Sequence, residues 1–128
     1  MIIKKLNIFN KKIFKDRRGV IADIFYNTKI NHVALIETKR NMVRGNHFHK
    51  KTTQYTYVVS GKIKYSSKKN NKLKKITLKK GDVVKSSINE IHAYKGLTPV
   101  SVMIIFSYGL RGGKDYEKDT FRVSPILK

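Results

Sequence analysis

The chain predicts an all-β fold, a sandwich or barrel assembled from many short strands. Three observations lead there. No stretch sustains the apolar period of an amphipathic helix. Short runs that alternate apolar and polar residues, or that are rich in β-branched and aromatic ones, recur along the length. Glycine, asparagine and serine clusters separate them at turn spacing. The 128 residues suit a single domain, residues 1–128, with no linker, repeat or low-complexity tract to divide it.

The elements follow in order. Met1 to Phe9 reads as an edge strand. Asp16-Arg17-Arg18-Gly19 reads as a turn, with Gly19 supplying the permissive backbone. Val20 to Tyr26 and His32 to Thr38 read as strands, with Asn27-Thr28-Lys29 closing the first. Tyr55 to Val59 is strongly strand-like. Ser60-Gly61 turns it into Lys62 to Tyr65, where Ile63 and Tyr65 share one face and Lys62 and Lys64 the other. Ser66 to Lys72 is polar and reads as a hairpin loop. Leu73 to Leu78 alternates again, and Lys79-Lys80-Gly81-Asp82 turns into Val83 to Ser87. Asn89-Glu90 bends before Ile91-His92-Ala93-Tyr94. After a loop at Gly96 to Pro99, Val100 to Phe106 is the most apolar strand and belongs inside its sheet. Lys114 to Asp119 reads as one helical turn. Phe121 to Leu127 is a last extended piece, because Pro125 argues against a helix.

Composition narrows the function classes. There is no cysteine, so disulfides and thiolate metal sites are excluded, and the cytoplasm is the simplest compartment. The start, with apolar residues broken by Lys4, Lys5 and Asn7, does not read as a signal peptide. The longest strongly apolar run, Val102 to Phe106, is too short to cross a membrane as a helix. The net charge of +21 has three readings: an anionic partner, the lysine and asparagine bias of an AT-rich genome, or a solvated surface. The lysines are spread through the chain, which favours the last two. Neither nucleic acid nor a membrane is the expected partner.

The chemistry gathers in Arg44 to Gly61. His47 and His49 are two apart, so on a strand both imidazoles reach to one side. Imidazole is both the common metal ligand and the common acid or base near neutral pH. Gln54 and Gly61 follow. Further on, Gly81-Asp82 is followed ten residues later by His92. With the all-β setting, the pattern Gly45-x-His47-x-His49-x4-Gln54-x6-Gly61 and the later His92 resemble the cupin superfamily, a double-stranded β-helix or jelly-roll barrel.

Within cupins, Arg44-Gly45-x-His47-x-His49-Lys50-Lys51-x-x-Gln54 is similar to the signature of the dTDP-4-keto-6-deoxyhexose 3,4-ketoisomerases. Asp16-Arg17-Arg18-Gly19 resembles the entry turn of the related dTDP-4-dehydrorhamnose 3,5-epimerases. Ser107-Tyr108, Asp115-Tyr116 and Asp119 resemble the ketoisomerase tail. The resemblance implies a homodimeric isomerase or epimerase that acts on a nucleotide-diphosphate sugar, serves surface polysaccharide biosynthesis, and needs no cofactor. It implies His49 as base and His47 as the orienting or second acid-base group. Gln54 would donate to a sugar oxygen. Arg44 would grip the diphosphate, helped by Lys50 and Lys51. Tyr55, Tyr57 and Tyr65 are the candidates to stack on base or sugar. The ketoisomerases usually carry a pocket tyrosine on the strand before the paired histidines; here that strand, His32 to Ile36, has none.

Plainer readings stand beside these. His92 is either a substrate contact or a packing histidine at a strand end, and His32 reads as structural. Tyr55 and Tyr57 share one face and suit a core or dimer contact equally well. Lys50 and Lys51 suit an exposed turn. A divalent transition metal is the alternative, held by His47, His49, His92 and Gln54. Other cupins use this quartet with a glutamate in the last place. The neutral amide of Gln54 is the poorer ligand and tilts the cluster toward acid-base work. A non-catalytic sugar- or anion-binding cupin is the remaining class.

Overall fold

The computed structural model describes residues 5–7, 14–110 and 117–128. Twelve strands are found there: Lys5–Asn7 (β1), Phe14–Asp16 (β2), Gly19–Ile21 (β3), His32–Lys39 (β4), Val43–Phe48 (β5), Thr53–Ser60 (β6), Lys62–Lys69 (β7), Lys72–Lys79 (β8), Asp82–Ser86 (β9), Ile91–Gly96 (β10), Val100–Tyr108 (β11) and Phe121–Arg122 (β12). Glu117–Asp119 is a single 3-10 turn.

The order is β1-β9-β6-β11-β4 in one sheet and β12-β5-β10-β7-β8 in the other, while β2 and β3 form a separate hairpin. β4 pairs with β11, β5 with β10, β6 with β9 and β7 with β8, all antiparallel. Successive pairs alternate between the two sheets. This is one long hairpin rolled up, the jelly roll of the cupin fold.

The core lies between the sheets, and strand alternation puts it there. Along β11, Ser101, Met103, Ile105 and Ser107 are buried, while Val102, Ile104 and Phe106 face the other side. Val58, Ile63, Leu78, Val84, Met103 and Ile105 form the apolar centre with Tyr65 and Tyr94. Each such side chain contributes about 1.5–3 kcal/mol by leaving water. Both tyrosines span the gap between the sheets. Tyr65, from β7, reaches Ser86 of β9 at 2.8 Å.

Several expectations shift. The strand expected over Val20 to Tyr26 ends at Ile21. Beyond it the chain finds no ladder partner among the described residues, and Phe25 instead packs edge-on against Tyr55 and Phe106. The loop expected at Ser66 to Lys72 is strand on both sides of a turn at Asn70-Asn71, where φ is +53° and +61°. Pairing of β7 with β10 as well as β8 carries the ladder through a sequence of low strand propensity. Of the edge strand expected at Met1 to Phe9, Lys5–Asn7 is present against β9; the rest lies outside the described residues, as do Lys114 to Tyr116. The Asp16–Gly19 turn forms as expected. The Asp16 carboxylate accepts from the Arg18 amide and guanidinium, and the guanidinium bond chiefly holds its pKa below the usual value.

Candidate active site

The site begins with a backbone irregularity. β5 runs against β10 with His47 opposite His92, Gly45 opposite Ala93 and Arg44 opposite Tyr94. Asn46 is therefore an extra residue, a bulge, with φ +56° beside Gly45 at +94°. Without it, Arg44 and His47 would point to opposite faces, because they are three apart. With it, both face the barrel interior. Only glycine serves at 45: a Cβ there would stand 2.7 Å from the His92 carbonyl oxygen.

Three histidines meet at this level. Ring centroids are 4.8 Å apart for His47 and His49, 4.7 Å for His47 and His92, and 5.3 Å for His49 and His92. His49 and His92 are buried and His47 is half-buried. The Nδ1 atom of His49 is 2.7 Å from the Asp119 carbonyl oxygen. A carbonyl only accepts, so Nδ1 carries the proton and Nε2 is the basic nitrogen. The same reasoning applies to His92, whose Nδ1 faces the Glu90 carbonyl at 3.2 Å.

Asp119 also fastens the turn after His49. Its carboxylate accepts from the amides of Lys50 and Lys51 and from the Thr52 hydroxyl, at 2.7 Å for the last. Burial alone would raise its pKa. The bonds from Thr52, Lys50 and Lys51, with the nearby His49 ring, outweigh burial and hold it below the usual carboxylate value.

A pocket of about 320 Å³ opens here, lined by Arg44, His47, Gln54, Tyr94 and Arg122 over an apolar floor that includes Ile36 and Met103. Arg44 also borders a neighbouring pocket of about 490 Å³ beside Leu35 and Met42. Its guanidinium is steadied by the Glu37 carbonyl and the Thr38 hydroxyl. Arg122 is held in a two-bond pair with Glu117, at 3.0 and 3.1 Å. Gln54 donates its amide to the Tyr94 hydroxyl at 3.0 Å, and that hydroxyl lies 2.7 Å from Thr56 Oγ1.

The structure thus brings together Arg44, His47, His49, His92 and Gln54. Other candidates lie elsewhere. Tyr65 is fully buried in the core. Tyr55 and Tyr57 alternate with the buried Gln54, Thr56 and Val58, so they point away from the barrel interior. Lys50 and Lys51 are exposed; the Lys50 ammonium sits over the Phe121 ring. Residues that sequence reasoning missed are Tyr94, Arg122 and, as a tether, Asp119. Tyr94 was within reach, since it follows His92 by two on an alternating strand. Arg122 carried no local signal.

The sequence model of the polysaccharide biosynthesis C-terminal domain family matches residues 14–106. The chain belongs to this family. A comparison with curated protein sequences finds no match. Crystal structures share the fold of this family member. A 3,4-ketoisomerase from Helicobacter canadensis is 19% identical, with a TM-score of 0.79 over 96% of this chain and 92% of that one. The TDP-quinovose 3,4-ketoisomerase of Campylobacter jejuni is 20% identical, with a TM-score of 0.79 over 94% and 92%. The dTDP-6-deoxy-D-glucose-3,5-epimerase of Legionella pneumophila, bound to dTDP-4-keto-L-rhamnose, is 11% identical, with a TM-score of 0.76 over 97% and 73%. The cupin resemblance read from His47, His49, Gln54 and His92 is upheld at the level of the fold.

Proposed function

We propose that this protein is an isomerase or epimerase of a nucleotide-linked 4-keto-6-deoxy sugar, working by histidine proton transfer in polysaccharide biosynthesis. The observation that carries the reading is the pocket that joins Arg44, His47 and Gln54, with the His49 ring 4.8 Å from that of His47 and oriented by the Asp119 carbonyl. The fold shared with ketoisomerases and a 3,5-epimerase, and membership of a polysaccharide biosynthesis family, support it.

The chemistry follows from the residues. A base removes the proton on C3 beside the C4 ketone. The C–H electron pair becomes a C3–C4 double bond, and the carbonyl pair moves onto O4, which takes a proton to give an enediol. Loss of the O3 proton then forms the C3 ketone as C4 gains a proton, so atoms and charge balance. Nε2 of His49 is the proposed base, and His47, on the pocket wall, is the second proton carrier. Gln54 and the guanidinium of Arg44 donate to developing oxyanion and diphosphate respectively. Arg122 faces the same pocket and joins Arg44 on the phosphates.

Purified protein incubated with dTDP-4-keto-6-deoxyglucose checks this by NMR of the product sugar. The expected result is isomerisation or epimerisation, slowed by at least about 10²-fold in His49→Asn. Full activity in that variant contradicts the assignment of the base. A homodimer belongs to the same reading. Val33 and Leu35, 58% and 68% exposed, face outward on β4 opposite Phe106 and Ile104 of β11 and give it an apolar face. Light scattering that finds only monomer at micromolar concentration contradicts that part.

The three imidazoles favour a second reading. Their candidate ligand atoms all lie within 4.8 Å of one another. This donor set fits Fe, Mn, Ni or Zn, and a bound ion would supply Lewis acidity at the pocket's inner end. Gln54 is engaged with Tyr94 rather than committed to the histidines. Metal analysis after supplementation decides between the readings: one ion per chain, lost in His92→Ala, favours the metal site.

A further inference from the structure

Isomerising a ketone across two carbons moves two kinds of proton. One travels between carbons, the work proposed for the histidines. The other must leave the O3 hydroxyl and arrive on O4. We propose that Tyr94 carries this oxygen-borne proton, with Thr56 as the hydroxyl that donates to the phenol oxygen while its proton is away. The inference rests on the reading of the site as a sugar isomerase.

Tyr94 is the phenol on the wall of the pocket that also holds His47, Gln54 and Arg44. A phenol has one donor and two acceptor positions. Gln54 donates to one acceptor position at 3.0 Å. Thr56 Oγ1, at 2.7 Å, is the second partner, and either hydroxyl can be the donor. When Thr56 donates, the phenolic proton is turned to the pocket and is available to O4. The phenolic O–H breaks as O4–H forms, which leaves a phenolate held by the Gln54 amide and the Thr56 hydroxyl, both donating. The O3–H bond then breaks as the phenolate takes that proton and a new phenolic O–H forms. Tyr94 ends neutral, and its transient negative charge is matched by the imidazolium that holds the C3 proton.

The backbone makes the arrangement firm. Tyr94 comes from β10 of one sheet and meets Gln54 and Thr56 of β6 in the other, so the phenol is held from both sides of the barrel. Such a brace also has a structural role, and the split between kcat and KM separates the two.

Steady-state assays on dTDP-4-keto-6-deoxyglucose test it with wild type, Tyr94→Phe and Thr56→Val. Tyr94→Phe should lower kcat by about 10²-fold while KM stays close to wild type. Thr56→Val keeps a β-branched strand residue and the phenol, and should lower kcat by about tenfold at unchanged KM. It decides the matter if Tyr94→Phe fails to fold. Undiminished kcat in the variant that folds, or a loss confined to KM, overturns the role of Tyr94 alone. A wild type with no turnover, beside which neither variant can show a loss, overturns the reading of the site and the proposal with it.

Discussion

Gly45 and Asp119 show how single residues set the site. Gly45 combines a positive φ with a carbonyl 2.7 Å from where a Cβ would stand. Gly45→Ala should therefore cost about 2–4 kcal/mol in urea unfolding and disturb the His47–His92 pairing. A change below about 0.5 kcal/mol would mean that the bulge is not demanded by that contact. Asp119 acts through charge. Its folded pKa lies below the unfolded one, so the ionised carboxylate stabilises the fold above the unfolded value, about 3.9, and the contribution is lost as pH falls through the folded value. Asp119→Asn should be less stable than wild type by about 1–3 kcal/mol at pH 7, and the gap should narrow as pH falls below about 3.9. A gap that does not change with pH contradicts the assignment. The histidine spacing of this region was legible because period two is a local rule. Asp119 could be read only as part of a tail resemblance, since its partners are about 70 residues away, in the turn after His49.

At the scale of elements, the closing segment does more than extend the second sheet. β12 pairs with β5, and Asn46, the bulge residue, accepts from the amides of Ile126 and Leu127 and donates to the Leu127 carbonyl. The bulge that turns Arg44 and His47 inward thus points its own side chain outward to hold the tail. Asn46→Ala should raise amide hydrogen exchange in residues 123–128 and lower stability by about 1–3 kcal/mol. Exchange left unchanged there would separate bulge from tail. Strands with strong β-branched runs, such as β6 and β11, were legible from residue type alone. The second half of β7 was not: Ser66 to Lys69 have poor strand propensity, and their ladder exists because β10 and β8 flank them. The loop after β3 failed in the opposite sense, with good strand residues and no ladder partner among the described residues.

Across the whole molecule, charge and chemistry are distributed differently. The site uses a few groups at the barrel's interior, while most lysines lie outside it. Lys62 stands opposite Lys79 and Lys69 opposite Lys72 across β7 and β8. Like charges directly opposite destabilise a sheet, and a net charge of +21 repels itself. Stability should therefore rise with salt as screening shortens from about 10 Å at 0.1 M to about 3 Å at 1 M; a urea midpoint that falls over that range contradicts it. The jelly roll was legible because two histidines, a glutamine and a distant histidine mark it. The completed pocket was not, because Arg122, which carries no local signal, joins it only through the pairing of β12 with β5. Proton transfer from sugar carbon by the proposed histidine pair can be read from deuterium wash-in from D2O to C3 of dTDP-4-keto-6-deoxyglucose, followed by NMR. Exchange should be rapid with wild type and at least about 10²-fold slower with His49→Asn; equal rates for the two proteins would rule out His49 as the base.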